Sequence, residues 1–239
     1  MLCPSNARFK ILLARLFACM VLLGANAHAV TKVHTISFGK WTTVQWLPEA
    51  ATDKPVNLKI RPLLVDARVK EFTLGPAHDV TDRLFVVRRV FRVNDSLPQE
   101  SSAAPHWQWE RGGWLLVDRT TGRISAINLP EFDVFYSSVS WYRDYAAYCG
   151  VSEEGNKVYA MVAQLNRRKP ILKKLLDGVK TSGEENPEAG VDSACSPPAW
   201  QRAPSRVTFE ATGASKQTFA VRGHVVDVMP EEEDEEASK

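Results

Sequence analysis

The sequence carries little net charge and has none of the short motifs that mark common catalytic sites. Thirty basic and 28 acidic residues leave a formal charge of +2, and this balance gives no reason to expect nucleic acid as a partner. There is no Gly-x-Ser-x-Gly elbow, no Gly-rich phosphate loop and no His-Glu-x-x-His motif. Their absence argues against serine hydrolases, nucleotide-binding proteins and zinc peptidases, and we expect no cofactor.

Long apolar runs are also missing. The best candidate, residues 16–23, is far shorter than the roughly 20 residues that span a bilayer. Basic residues precede this run and Ala-His-Ala follows it at 27–29, which predicts a secretory signal peptide over residues 1–29, cleaved near Ala29. A looser, lipobox-like pattern ends at Cys19. We therefore expect an exported protein, periplasmic or secreted, with no membrane span after cleavage.

Cysteine is scarce, with four in the whole chain. Loss of the signal peptide leaves Cys149 and Cys195. An even pair in a chain that enters an oxidising compartment predicts a disulfide, and two free buried thiols are the alternative. We expect no metal site on these cysteines, because they lack close spacing and nearby histidines.

The remaining sequence is typical of an all-β chain. Short apolar runs, rich in β-branched and aromatic residues, alternate with turn-forming clusters. The predicted strands are residues 33–38, 42–47, 58–65, 69–74, 84–93, 114–117, 124–129, 134–141, 145–151, 158–165, 207–211 and 218–228. Residues 170–178 begin with Pro and end with Gly, and they fit either a short helix or an outer strand.

Three turns can be predicted from local sequence. Tryptophans alternate on either side of Gly112-Gly113, which predicts a hairpin over residues 107–117. A second hairpin joins the strands at 145–151 and 158–165. The polar run at 118–122 forms a third tight turn into the next strand.

The predicted organisation is one β domain with two irregular segments. Its main part covers residues 30–179, and C-terminal strands at 206–229 complete it. Residues 180–205 are rich in Gly, Pro, Ser and Glu and predict a flexible linker. The acidic tail at 230–239 is expected to be disordered.

A faint internal repeat points to a fold family. Leu-Leu-Val-Asp occurs at residues 63–66 and again at 115–118, and propeller blades repeat at intervals of about 40 to 50 residues. Residues 113–159, which contain GWLLVDRTTGR, SWYRDYAAY and GNKVY, resemble one blade of exported TolB and WD40-like β-propellers. The resemblance implies a propeller-like fold and no catalytic residue, and the chain length fits about four short antiparallel sheets. A β-sandwich or a partly open barrel predicts a similar pattern.

Aromatic residues provide the first candidate binding surface. In an extended chain Trp107 and Trp109 point to the same face. If that face is exposed, the indoles form a platform for sugar rings or peptide side chains. If it is buried, they join Trp114 and Trp141 in the core.

Polar clusters provide further candidates. His78, Asp79 and Asp82 fit a binding site, an acid–base pair or part of a metal site, and the alternative is a hydrogen-bonded turn. Glu131 and Asp133 offer paired carboxylates of the kind that cleave glycosides.

Basic residues form two groups. Those at 88, 89 and 92 are expected on a solvated edge strand. Those at 167–169 and 173–174 fit a solvated surface or a patch for anionic polymers.

These features favour a non-catalytic binding or interaction module of the cell envelope or secreted fraction, with a protein or glycan as partner. The enzymatic alternative is an envelope or extracellular glycan hydrolase that uses carboxylates of residues 78–82 and 131–133. A structural subunit of an envelope assembly is a third possibility.

Overall fold

A computed structural model describes residues 33–46, 55–94, 96, 107–179, 195–223 and 225–228. The chain divides into two units, Met1–Val33 and His34–Lys239, and every strand named below belongs to the second. The predicted signal peptide and acidic tail lie outside the described residues, as does most of the predicted linker.

The described part is all-β and contains no helix, so the predicted fold class is confirmed. Its strands are β1 (Ile36–Phe38), β2 (Thr42–Trp46), β3 (Val56–Val65), β4 (Arg68–Asp79), β5 (Leu84–Asn94), β6 (Trp107–Asp118), β7 (Ile124–Ile127), β8 (Ser140–Tyr142), β9 (Tyr145–Val151), β10 (Val158–Gln164), β11 (Leu172–Leu175), β12 (Ala199–Gln201), β13 (Arg206–Phe209), β14 (Gln217–Arg222) and β15 (Val225–Val228). It follows that no helix in this part of the chain is long and apolar enough to cross a membrane.

These strands form three antiparallel sheets. The first sheet has seven strands in the order β1-β3-β4-β5-β6-β7, and β2 also pairs with β3. The second sheet has the order β11-β10-β9-β8 and the third β12-β13-β14-β15. None of the sheets closes on itself, an arrangement consistent with the propeller-like or sandwich expectation.

The second sheet is the middle layer of the core. One of its faces packs Cys149 and Val162 against Phe209 and Phe219 of the third sheet. Its other face packs Tyr148, among others, against residues of β6 and β7. Because both faces are covered, β9 is an almost continuous apolar run instead of an alternating one.

The predicted hairpin around Gly112-Gly113 is wrong. β6 runs through both glycines without a turn and pairs with β5 along almost its whole length. The pairing shifts register near Arg88, which marks a β-bulge. A Cβ on Gly112 would lie 3.1 Å from Arg89 Cβ and 3.3 Å from its carbonyl oxygen. A side chain at residue 112 would therefore crowd the neighbouring strand, and glycine allows its close approach.

The other two turns are confirmed. β9 and β10 pair from Val151 opposite Val158. The turn after β6 closes with Gly122 N donating to Asp118 O at 2.9 Å, and Gly122 has a φ of +65°, which favours glycine. The ambiguous segment at 170–178 contains an outer strand, β11.

Two segments differ from their predicted state. Most of residues 134–141 is a loop, because Asp133 Oδ1 accepts hydrogen bonds from the backbone N–H groups of Phe135 and Tyr136 and turns the chain there. The predicted linker contains β12, whose Trp200 Nε1 donates to Ser140 O at 3.0 Å.

Arg88 does not lie on a solvated edge. β5 is a central strand, and the loop after β7 packs over Arg88, whose side chain is buried with 9% of its surface exposed. Arg88 donates hydrogen bonds to the backbone oxygens of Gly112 and Val134 and so ties the loop after β7 to the first sheet. Burial and, to a smaller extent, the nearby Arg111 charge lower the pKa of Arg88 to about 10, and Asp133 acts in the opposite direction.

Candidate functional site

The best-formed aromatic surface consists of Trp107, Trp109 and Arg92, which we call the tryptophan–arginine platform. Cross-strand pairing sets Arg92 of β5 opposite Trp109 of β6. The Arg92 guanidinium carbon lies 5.2 Å from the Trp107 ring centroid and 5.6 Å from that of Trp109. Both indoles therefore share one face of the first sheet, and a cation lies between them.

The platform combines exposure with a fixed base. Trp107 is 51% exposed, and Arg92 is also exposed. Trp109 is half-buried and meets Phe72 edge to face, with ring centroids 5.1 Å apart. Trp109 also packs on the buried cluster that contains Ile60. Each predicted alternative therefore holds for one of the two tryptophans: Trp107 is exposed, and Trp109 packs on the core.

Arg92 is the functional candidate that sequence reasoning missed. Local sequence predicts only a charged edge that contains Arg88, Arg89 and Arg92, in which alternation places Arg92 and Arg89 on opposite faces. Arg89 instead forms an ion pair with Glu71 at 2.9 Å. Pairing β5 with β6 in the correct register would have placed Arg92 beside Trp109.

The residues at 78–82 have separate partners. His78 Nε2 donates to Arg143 O at 2.8 Å, and its ring stacks on Trp141. Asp79 Oδ1 accepts a hydrogen bond from Arg119 at 2.6 Å, and Arg119 also donates to the backbone oxygen of Asp82. These contacts connect strands and turns of the first and second sheets, which is a structural role.

Asp118, next to this cluster, holds the turn that follows β6. Its carboxylate accepts hydrogen bonds from Arg83, including one from Nε at 2.9 Å. It also accepts backbone N–H bonds from Thr120 and Thr121. The Arg83 hydrogen bonds, supported by those N–H groups, hold the pKa of Asp118 well below its usual range.

Replacing Asp118 with asparagine is expected to lower the melting temperature at neutral pH and to have a smaller effect in acid. The folded state lowers the pKa of this carboxyl, so its contribution is complete above about pH 4, the unfolded value, and disappears as pH falls through the folded pKa. Melting temperatures of the wild type and Asp118→Asn, measured between pH 2 and 7, test this. A difference that does not change with pH would contradict it.

The second pair of carboxylates is also engaged. Glu131 accepts a hydrogen bond from Lys173 Nζ at 2.6 Å, which raises the pKa of Lys173. Asp133 caps its own loop. Between them the Tyr148 hydroxyl donates to Pro130 O at 2.7 Å, and burial, followed by the Glu131 charge, raises the pKa of Tyr148.

Among the described residues, no group of three or more His, Cys, Asp or Glu side chains is placed to hold a metal ion.

The predicted disulfide between Cys149 and Cys195 is present. It joins β9 of the second sheet to the segment that leads into the third, where Cys195 forms an isolated bridge with Ala211.

Fold and surface together define an all-β protein, disulfide-linked, with an exposed tryptophan–arginine platform on its largest sheet. No protein-family model, no curated protein and no solved structure matches the chain. The similarity of residues 113–159 to a propeller blade therefore stays a prediction.

Proposed function

We propose that this chain is an exported, non-catalytic binding module and that it contacts a protein partner through the tryptophan–arginine platform. The observation that carries the proposal is the exposed Trp107 ring beside the Arg92 guanidinium. Tryptophan and arginine are among the residues that most often dominate binding energy at protein interfaces.

The base of the platform supports this role. Arg92 contacts both indoles, and Trp109 is fixed against Phe72. Side chains that are already held in place lose less conformational entropy when a partner binds. A flat, rigid surface that combines aromatic and cationic groups suits a partner's apolar and acidic side chains.

Export rests on the predicted signal peptide and is supported by the disulfide, a bond that persists in oxidising compartments. The hydrolase alternative receives less support. Asp79 and Glu131 are in ion pairs, and Asp133 caps a turn. Each carboxylate thus has a structural partner of its own.

Replacing Trp107 with alanine is expected to weaken binding to a protein ligand about thirtyfold, the loss typical of a central interface tryptophan. The probes are peptides selected by the wild-type protein from a displayed random library, and the dissociation constants are measured by calorimetry. Since Trp107 is largely exposed, its removal should leave the melting temperature almost unchanged.

Leu175→Ala is the matched control. It removes another exposed apolar side chain, which lies in the second sheet, and should leave binding unchanged. Equal losses in both variants, or none in Trp107→Ala, would rule out the platform as the contact surface. If the wild type bound particular glycans on a glycan array and Trp107→Ala did not, the ligand of the platform would be a glycan and not a protein.

A further inference from the structure

A second surface of the first sheet has an arginine with unused hydrogen-bonding capacity. The Arg61 guanidinium carbon lies 3.8 Å from the Phe38 ring centroid and 4.4 Å from that of Trp41. Its Nε is buried without a hydrogen-bond partner. Within the described part of the chain no carboxylate pairs with Arg61. Partial burial accordingly lowers the pKa of Arg61.

Arg61 lines a groove of about 820 Å³, a size typical of small-ligand sites. Residues of β2, β3 and β4, together with Trp41 just before β2, form the walls of the groove. They include Trp41, Thr43, Asn57, Lys59 and Pro76. Among the residues that the structure describes, two cations and no carboxylate line the groove. The groove is therefore complementary to an anion.

An irregularity in β4 lies at this groove. Pairing between β4 and β5 shifts register between Leu74 and His78. Gly75 has a φ of +70° there, and a Cβ built on it would meet no atom within 4 Å. Bulges of this kind occur often beside functional sites, where they interrupt pairing and redirect side chains.

The geometry of β3 shows how a ligand would be recognised. β3 pairs with β2 from Val56 to Ile60 and with β4 from Ile60 to Val65. Recognition would depend on side chains: a planar cation, an exposed indole, and the polar groups of Thr43 and Asn57.

We propose that this groove binds an acidic oligosaccharide built from uronic acids. The Arg61 guanidinium would hold a sugar carboxylate, and a ring of the sugar would stack on Trp41, which is 48% exposed. Lys59, Asn57 and Thr43 supply hydrogen bonds for further carboxylate and hydroxyl oxygens.

This site is separate from the platform. Leu58 and Ile60 of β3 point to the buried cluster on which Trp109 packs. Alternation along the strand directs Lys59 and Arg61 to the opposite face of the sheet. The two binding proposals can therefore fail independently.

The test is calorimetric titration of the purified protein with a tetramer of galacturonic acid and with its methyl ester, which has the same rings without the charges. We expect the ester to bind about tenfold more weakly than the acid. Arg61→Lys keeps the charge but loses the planar fork and should weaken binding of the acid about tenfold. Trp41→Ala should have a similar effect.

Arg222→Lys, an exposed substitution in the third sheet, is the control and should change nothing. Circular dichroism verifies that each variant is folded. No binding of the acid, equal binding of acid and ester, or full binding by folded Arg61→Lys and Trp41→Ala proteins would overturn the proposal. Tighter binding of tetraglutamate through the same two residues would also overturn it, in favour of an acidic peptide.

Discussion

Replacing both Cys149 and Cys195 with alanine is expected to lower the free energy of unfolding by about 4 kcal/mol, because a bridge of this span strongly restricts the unfolded chain. The cysteines are 46 residues apart. Their bond connects the second sheet to the start of the segment that forms the third. Urea denaturation of the oxidised wild type and the double variant measures the difference.

A reductant provides the control for this prediction. Dithiothreitol should lower the free energy of unfolding of the wild type to about that of the double variant. It should not change the stability of the double variant, because only the wild type has a disulfide to reduce. Alanine is preferred to serine since Cys149 is buried among apolar side chains, where a hydroxyl would add its own cost. Equal stability of the two oxidised proteins would contradict the prediction.

Replacing Phe219 with alanine is expected to lower the free energy of unfolding by about 4 kcal/mol, through lost apolar burial and a new cavity. Phe219 is fully buried in the core between the second and third sheets. Its ring meets that of Phe209 edge to face at 5.8 Å. The neighbouring side chains cannot fill the space of the Phe219 ring by small movements, so the cavity should persist.

Two variants calibrate this result. Phe219→Leu leaves a smaller cavity and should cost less than half as much as alanine. Leu175→Ala, at an exposed position, should cost about 0.5 kcal/mol or less. If Phe219→Ala were no more destabilising than Leu175→Ala, the prediction that packing between the second and third sheets stabilises the fold would be wrong.

Local patterns predicted most of the strands well. β5, β9 and β10 coincide closely with apolar runs bounded by turn signals. The same local rules failed at Gly112-Gly113, where β6 continues without a turn and Gly112 allows the close approach of β5. They also failed after Asp133. The sequence predicts a strand over residues 134–141, but the Asp133 side chain accepts two backbone hydrogen bonds and turns the chain where that strand would begin.

The candidate sites show a similar division. Alternation predicted correctly that Trp107 and Trp109 share a face, but not that Arg92 lies between them. Local sequence likewise gives no sign that Arg61 contacts Phe38 and Trp41. Both arginines meet their aromatic partners only through the pairing and packing of separate strands.

The sequence alone determined the all-β class, the cysteine pair and most of the strands, because these depend on residue type and on the two-residue period of a strand. Tertiary structure decided which strands are central, and packing of the loop after β7 buried Arg88 while Arg92 of the same strand stayed exposed. It also decided which cations meet which aromatic rings. Cross-strand register and sheet packing set those contacts, and both depend on residues that are far apart in the chain.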